Sequence, residues 1–134
     1  MYGTLDISTS GLIAQRTRLT VASANLMNAR TLLNADGDYE PYRRRSVVFG
    51  VGDPETDSPL GVHVEGIKID DGPLRKEYEP GSAYADASGY VEYPNVNSVV
   101  EQMNSMQALR SYEANIATVE ATKSMMSVAL QMLG

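Results

Sequence analysis

The residues that chemistry would need are few and scattered. Cysteine is absent and His63 is the one histidine. Thiol catalysis, disulfides, Cys-zinc sites and any two-His metal site are therefore excluded. Two acidic clusters remain, Asp36-Gly37-Asp38 and Asp53-Pro54-Glu55-Thr56-Asp57. Closely spaced carboxylates are ligands for a hard cation, so both resemble calcium loops. Neither has the full ligand series ending in Glu that an EF-hand needs, and both read as solvated turns. His63 stands in an alternating run, Val62-His63-Val64-Glu65, with no nucleophile placed beside it by spacing. Arg43-Arg44-Arg45 is a basic run in an acidic stretch. It suits an ion pair with an acidic neighbour better than a nucleic acid. With no phosphate-cradling glycine loop either, the expectation is a non-enzyme with no catalytic, cofactor or metal site and no small-molecule substrate.

The elements that would carry these residues divide the chain into three. Its 134 residues suffice for one modest domain. Seventeen acids against eleven bases give a net charge of −6, which argues against a nucleic-acid partner. No apolar run approaches the ~20 residues of a membrane span. The opening Met1-Tyr2-Gly3-Thr4-Leu5-Asp6 lacks the basic and apolar regions of a cleaved secretory signal. Residues 1–31 hold three Arg and one acid, residues 32–94 thirteen acids and six bases, and residues 95–134 three acids and two bases. All six prolines lie between 41 and 94. This predicts helical assembly segments at 1–31 and 95–134, flanking a small β unit with a connecting arm at 32–94. The fold class expected is α+β: long N- and C-terminal helices packed as a coiled-coil-like pair, with the β unit inserted between them.

Leu5, Leu12, Leu19 and Leu26 recur every seven residues, the mark of a helix that packs on another helix. The spacing predicts a helix over 6–29, capped by Ser8 or Ser10, with Gly3 and Gly11 weakening its first turns. A second, longer helix is predicted from Pro94 to the end, capped by Asn95 or Asn97. Its apolar row is Val96, Val99, Met103, Met106, Leu109, Tyr112, Ile116, Val119, Lys123, Met126, Leu130, Leu133. Steps of three and four alternate, with one extra three around Leu109 that reads as a stammer. Lys123 interrupts the row, either fixing register or laying its stem along the seam.

The middle reads as strands at 42–49, 62–70 and 74–78, a bulge at Gly66, a polar loop from Gly50 to Gly61, and an irregular arm over 79–94. Tyr78, Tyr84, Tyr90 and Tyr93 would anchor that arm on a neighbour.

Ala24-Asn25-Leu26-Met27-Asn28-Ala29-Arg30-Thr31 resembles the N-terminal signature of the bacterial flagellar axial family of rod and hook proteins. More discriminating are Tyr78-Glu79-Pro80-Gly81, Ala85-Asp86-Ala87-Ser88-Gly89-Tyr90-Val91, Pro94-Asn95-Val96, Arg110-Ser111-Tyr112-Glu113-Ala114-Asn115-Ile116 and Lys123-Ser124-Met125-Met126. These resemble basal-body rod proteins of the FlgC type, and Pro41-Tyr42-Arg43-Arg44 and Val47-Val48-Phe49 fit the same family. The resemblance covers residues 5–134 and departs at Met27, where the usual motif has Ala.

The resemblance implies a structural subunit of the proximal rod, in the periplasmic space, that polymerises and transmits torque. The partners it implies are further copies, rod proteins of FlgB, FlgF and FlgG type, a FliE-type adaptor, the membrane ring and the flagellar type III export apparatus. Two other readings stay open, a sibling of FlgB type and a coiled-coil adaptor that does not polymerise. The residues expected to carry helix packing and assembly are Leu5, Leu12, Leu19, Leu26, Asn25, Asn28, Met106, Tyr112, Asn115, Ile116, Val119, Lys123, Met126 and Leu130. For Asn25, Asn28 and Asn115, bonding within a helix and bonding between subunits are both open.

Overall fold

A computed structural model describes residues 2–134. Helix α1 spans Tyr2–Met27 and helix α2 spans Ser98–Leu133. Between them lie strands β1 (Arg45–Asp53), β2 (Ser58–Ile69), β3 (Arg75–Tyr78) and β4 (Tyr90–Tyr93). They pair as two antiparallel hairpins, β1 with β2 and β3 with β4. The α+β order with an inserted β unit is the one expected.

The helix ends differ from expectation in instructive ways. α1 opens before residue 6, so Ser8 and Ser10 lie inside it and cap nothing. Ser8 is buried. Ser10 Oγ donates to the Ile7 carbonyl at 2.6 Å and accepts the Val62 amide at 3.1 Å, which ties β2 to the helix. α1 closes at Met27, short of 29, and Asn28 Nδ2 donates back to the Ala24 carbonyl at 2.9 Å. For α2 the cap is Asn97, whose side chain accepts the Val99 and Val100 amides at 3.0 and 3.3 Å. Asn95 is bonded elsewhere. At 1.5 Å per residue α2 is about 54 Å long.

The two helices run antiparallel. Gly11 lies against Asn115, Arg18 donates to Gln107 at 2.8 Å and to Asn104 at 3.4 Å, and Asn25 reaches Glu101. The α2 side of this seam is Glu101, Ala108, Asn115 and Thr122, spaced by seven without a stammer. The α1 side carries Ser8, Gly11, Arg18, Ala22 and Asn25. Small and polar residues thus hold the middle of the seam, with Tyr112, Ile116, Val119 and Met126 of the expected apolar row half-buried beside them. Small side chains let helix backbones approach closely, and a Cβ on Gly11 would stand 2.9 Å from Asn115 Nδ2. Gly11 is a contact requirement here, not a weak turn.

In the middle, the polar loop expected from Gly50 to Gly61 is mostly strand. The turn is confined to residues 54–57, with Asp57 at φ 52°. Gly52 takes φ 87°, and a Cβ there would lie 2.5 Å from the Ser58 carbonyl oxygen. The glycine that looked like a loop residue is what lets the strands close. The bulge falls one residue before the expected Gly66: Val48 faces Gly66 and Phe49 faces Val64, leaving Glu65 unpaired. The arm over 79–94 is not irregular throughout, since β4 pairs with β3. Asp86 Oδ1 accepts the Ser88 and Tyr90 amides, both at 2.9 Å, and turns the chain into β4. These bonds hold the Asp86 carboxyl below the usual carboxylate range.

The buried apolar core is small: Ala14, Ala22, Val91, Tyr93, Val96 and Ala108. We expect Gly11→Leu to separate the helices and destabilise the fold by about 1–3 kcal/mol. Gly3→Leu, where nothing lies within 4 Å of the built Cβ, should not destabilise. Urea titration of helical circular dichroism compares the two.

Candidate assembly surface

Two distant segments converge on the Asn25 side chain, which is 1% exposed. Its Nδ2 donates to the Arg45 carbonyl at 2.8 Å and to Glu101 Oε2 at 3.3 Å. Its Oδ1 accepts the Arg45 amide at 3.0 Å and the Tyr42 hydroxyl at 2.8 Å. All the bonding capacity of the amide is used, and it imitates a strand partner for Arg45. Burial pushes the Tyr42 phenol up, against the opposing effect of Arg45, so it remains a neutral donor.

Glu101, also 1% exposed, is ion-paired through Oε1 to Arg44 Nε. The Arg44 amide donates to Asn95 Oδ1 at 2.7 Å, and Arg43 Nη1 donates to the Gly72 carbonyl at 2.8 Å. The arginine run therefore finds its acidic partner inside the chain. This node joins α1, the entry to β1, the segment after β2 and the first turn of α2. Glu101, Arg44 and Asn95 were not among the expected packing residues. A usable signal existed: Glu101 is the one charged residue between Glu92 and Arg110.

Tyr93 is buried beneath Arg30, whose guanidinium carbon lies 4.5 Å from the ring centroid. Tyr93 donates to Glu79, while Tyr78 and Tyr90 meet edge to face. Tyr84 stacks on Tyr39 at 5.0 Å. The four tyrosines expected to grip a neighbour thus all make contacts within the chain.

The structure distributes the other expected residues over several positions. Leu5, Leu12, Leu19 and Leu26 are half-buried. At about 100° per residue they lie on the flank of the seam away from the β1–β2 hairpin. Asn28 accepts the Thr31 hydroxyl, and Asn115 sits against Gly11. Tyr112, Ile116, Val119 and Met126 are half-buried, whereas Met106 and Leu130 are exposed. Lys123 is exposed rather than sunk in the seam.

The antiparallel register leaves the end of α2 without a partner helix. Extrapolated from Gly11–Asn115, α1 begins level with residues near 124, so roughly nine residues of α2, about 14 Å, project beyond it. That tip, residues 124–134, is uncharged. Met125, Val128, Leu130, Met132 and Leu133 are exposed on it, the last two at 83% and 86%. At the other end of α2, Val99, Val100, Met103, Met106 and Leu109 are exposed as well. Between Leu109 and Met125 no large apolar side chain of α2 is exposed among the described residues. The helix is apolar outside at both ends and polar between them. A helix that is apolar all round is one that something else buries.

Residues 87–132 match the family model described as flagellar basal body rod FlgEFG protein C-terminal. The matched stretch takes in β4 and nearly all of α2, and the class it names is that of flagellar basal body rod proteins. The chain is 46% identical over 121 residues to flagellar basal-body rod protein FlgC of Salmonella typhimurium, covering 90% of this chain and 89% of the relative. It is 38% identical over 130 residues to the FlgC of Agrobacterium fabrum, covering 95% and 91%. With the FlgC of Borreliella burgdorferi it shares 35% over 150 residues, covering 99% and 97%. The chain belongs to the FlgC family of flagellar basal-body rod proteins.

Two measurements check the node and the tip. Glu101→Ala should cost about 3–5 kcal/mol in urea unfolding, because it strands Arg44 and the Asn25 amide. Replacing both partners, Glu101→Leu with Arg44→Met, should cost clearly less than the single change. In hydrogen exchange on the isolated chain, amides of 126–133 should exchange far faster than those of 104–119.

Proposed function

We infer that the chain is a structural subunit of the flagellar basal-body rod and that it acts by being built in, without catalysis. The observation that carries the reading is the pair of exposed, uncharged apolar surfaces at the two ends of α2. Surfaces of this kind at opposite ends of one helix make heterologous contacts, which extend into an open assembly instead of closing as a dimer. The leucine flank of α1 adds a third surface, so Leu5, Leu12, Leu19, Leu26, Met106 and Leu130 are proposed as contacts between subunits. A tube built from many such seams resists torsion because no single seam carries the load.

The finer reading is a subunit of the proximal rod, in the periplasmic space, exported through the type III apparatus without a cleaved signal. Its neighbours would be further copies, rod proteins of FlgB, FlgF and FlgG type, a FliE-type adaptor and the membrane ring. The residue divisions 1–31, 32–94 and 95–134 are proposed as assembly helix, inserted β unit and assembly helix. Asn25 is spent within the chain, which favours its reading as an internal amide. The half-buried Asn115 remains the better candidate for a bond to a neighbour.

Mass spectrometry and immunogold labelling of purified hook–basal bodies test this reading. Label on the rod beside the membrane ring is expected, and absence from complete basal bodies overturns it. Leu130→Asp and Leu19→Asp should leave export intact but lower incorporation by more than about tenfold, since a carboxylate buried in an apolar contact costs several times RT. Normal incorporation of both variants would remove these surfaces from the assembly.

A further inference from the structure

We propose that the groove between α1 and the β1–β2 hairpin is a docking site for a basic amphipathic helix of a partner protein. The hairpin touches α1 where the Val62 amide meets Ser10 Oγ, and Gly61, at φ 87°, lies flat against the same hydroxyl. Beside this contact runs an open groove of about 540 Å³. Its apolar lining is Ile7, Ile13, Ala14, Leu60, Val62 and Val64. Ile13 is 61% exposed and Leu60 59%, although both sit on well-formed elements.

The helix wall runs from Gly3 to Thr17, about four turns or roughly 21 Å. That length suits a helix laid along the groove with anchors at i, i+3 or i+4, and i+7. The sign of the partner's charge comes from the rim. Asp6 and Asp53 lie in the wall, and Glu55 and Asp57 stand in the hairpin turn above it. No lysine or arginine lines the groove among the described residues. His63, the one basic side chain there, is engaged through Nδ1 with the Gly52 carbonyl at 2.9 Å. The Glu55 amide and the Thr56 hydroxyl hold the Asp53 carboxyl below its ordinary range, so the rim stays negative. An apolar floor with an anionic rim selects apolar anchors flanked by cations.

This assignment is independent of the α2 surfaces, so failure of either leaves the other standing. The test titrates the full chain, at low salt, into a fluorescent synthetic helix of about 18 residues with a leucine face flanked by lysines. The control is its isomer with glutamates in place of the lysines. The lysine helix should bind at least about tenfold more tightly, and salt should weaken it. Ile13→Glu should abolish binding even though it adds negative charge. Asp6→Asn with Asp57→Asn should bring the two helices closer in affinity, with circular dichroism unchanged. Equal affinity for the isomers, binding that survives Ile13→Glu, or no binding at about 100 μM would each overturn the proposal. Self-association of the chain that Ile13→Glu abolishes would also overturn it, assigning the groove to a second copy.

Discussion

The Asn25 amide is the constraint on which the rest of the structure depends. It pairs with both backbone groups of Arg45 and with Glu101, so one side chain sets three relations at once. It fixes where β1 leaves the end of α1, and where the first turn of α2 meets α1. With Arg44 drawn to Glu101, it also fixes the angle at which the β unit stands off the helices. Once these are set, the antiparallel register of α1 and α2 follows down the seam to Gly11 and Asn115. A buried amide and ion pair add little net stability compared with an apolar cluster of equal volume. Their strength is in geometry: a slip by one residue would leave a charge and an amide unpaired in a dry site.

That division of labour explains an otherwise odd distribution of side chains. The seam between the helices is lined by Ser8, Gly11, Ala22, Ala108, Asn115 and Thr122, while Val99, Met103, Met106, Met125, Leu130 and Met132 of α2 face outward. A monomer selected for its own stability would have the reverse. Gln15 Oε1 and Ser105 Oγ are buried with no protein partner, which again marks a seam not tuned for stability alone. Large apolar surface left outside is free energy held for contacts between molecules. The small residues inside keep the helix pair thin, and the polar node keeps it in register.

The fold class was legible because a seven-residue leucine repeat and a proline-free C-terminal third admit few alternatives. Which face of each helix meets its partner was not. Periodicity finds the apolar row, and the natural assumption is that this row is the internal seam. Here Leu5, Leu12, Leu19 and Leu26 flank the seam, and Met103 and Met106 turn away from it. The same assumption hid the node: Asn25 was expected to pack, but its partners Arg45 and Glu101 lie in distant segments that only the fold brings together. Gly52 was misread for a related reason. A glycine marks unusual backbone or close approach, and only the partner strand shows that it serves both, at φ 87° against the Ser58 carbonyl. The strand β4 escaped because four residues behind a Ser-Gly turn carry too little pattern to separate strand from arm.

The β unit and the helices divide the demands on a subunit that is held on several sides. The helix ends offer apolar surface with no exposed charge at the tip of α2, which tolerates many partners and discriminates weakly. The hairpin has the opposite character, with an acidic turn at its far end and an apolar groove at its base. Charge falls off less steeply than contact and penalises the wrong partner, so on the proposed reading the hairpin would supply the discrimination that the helix ends lack. Both surfaces are read against one frame, because Asn25 and Glu101 tie the hairpin and both helices to a single point. Loosening that point would leave every surface chemically intact and none of them correctly placed relative to the others.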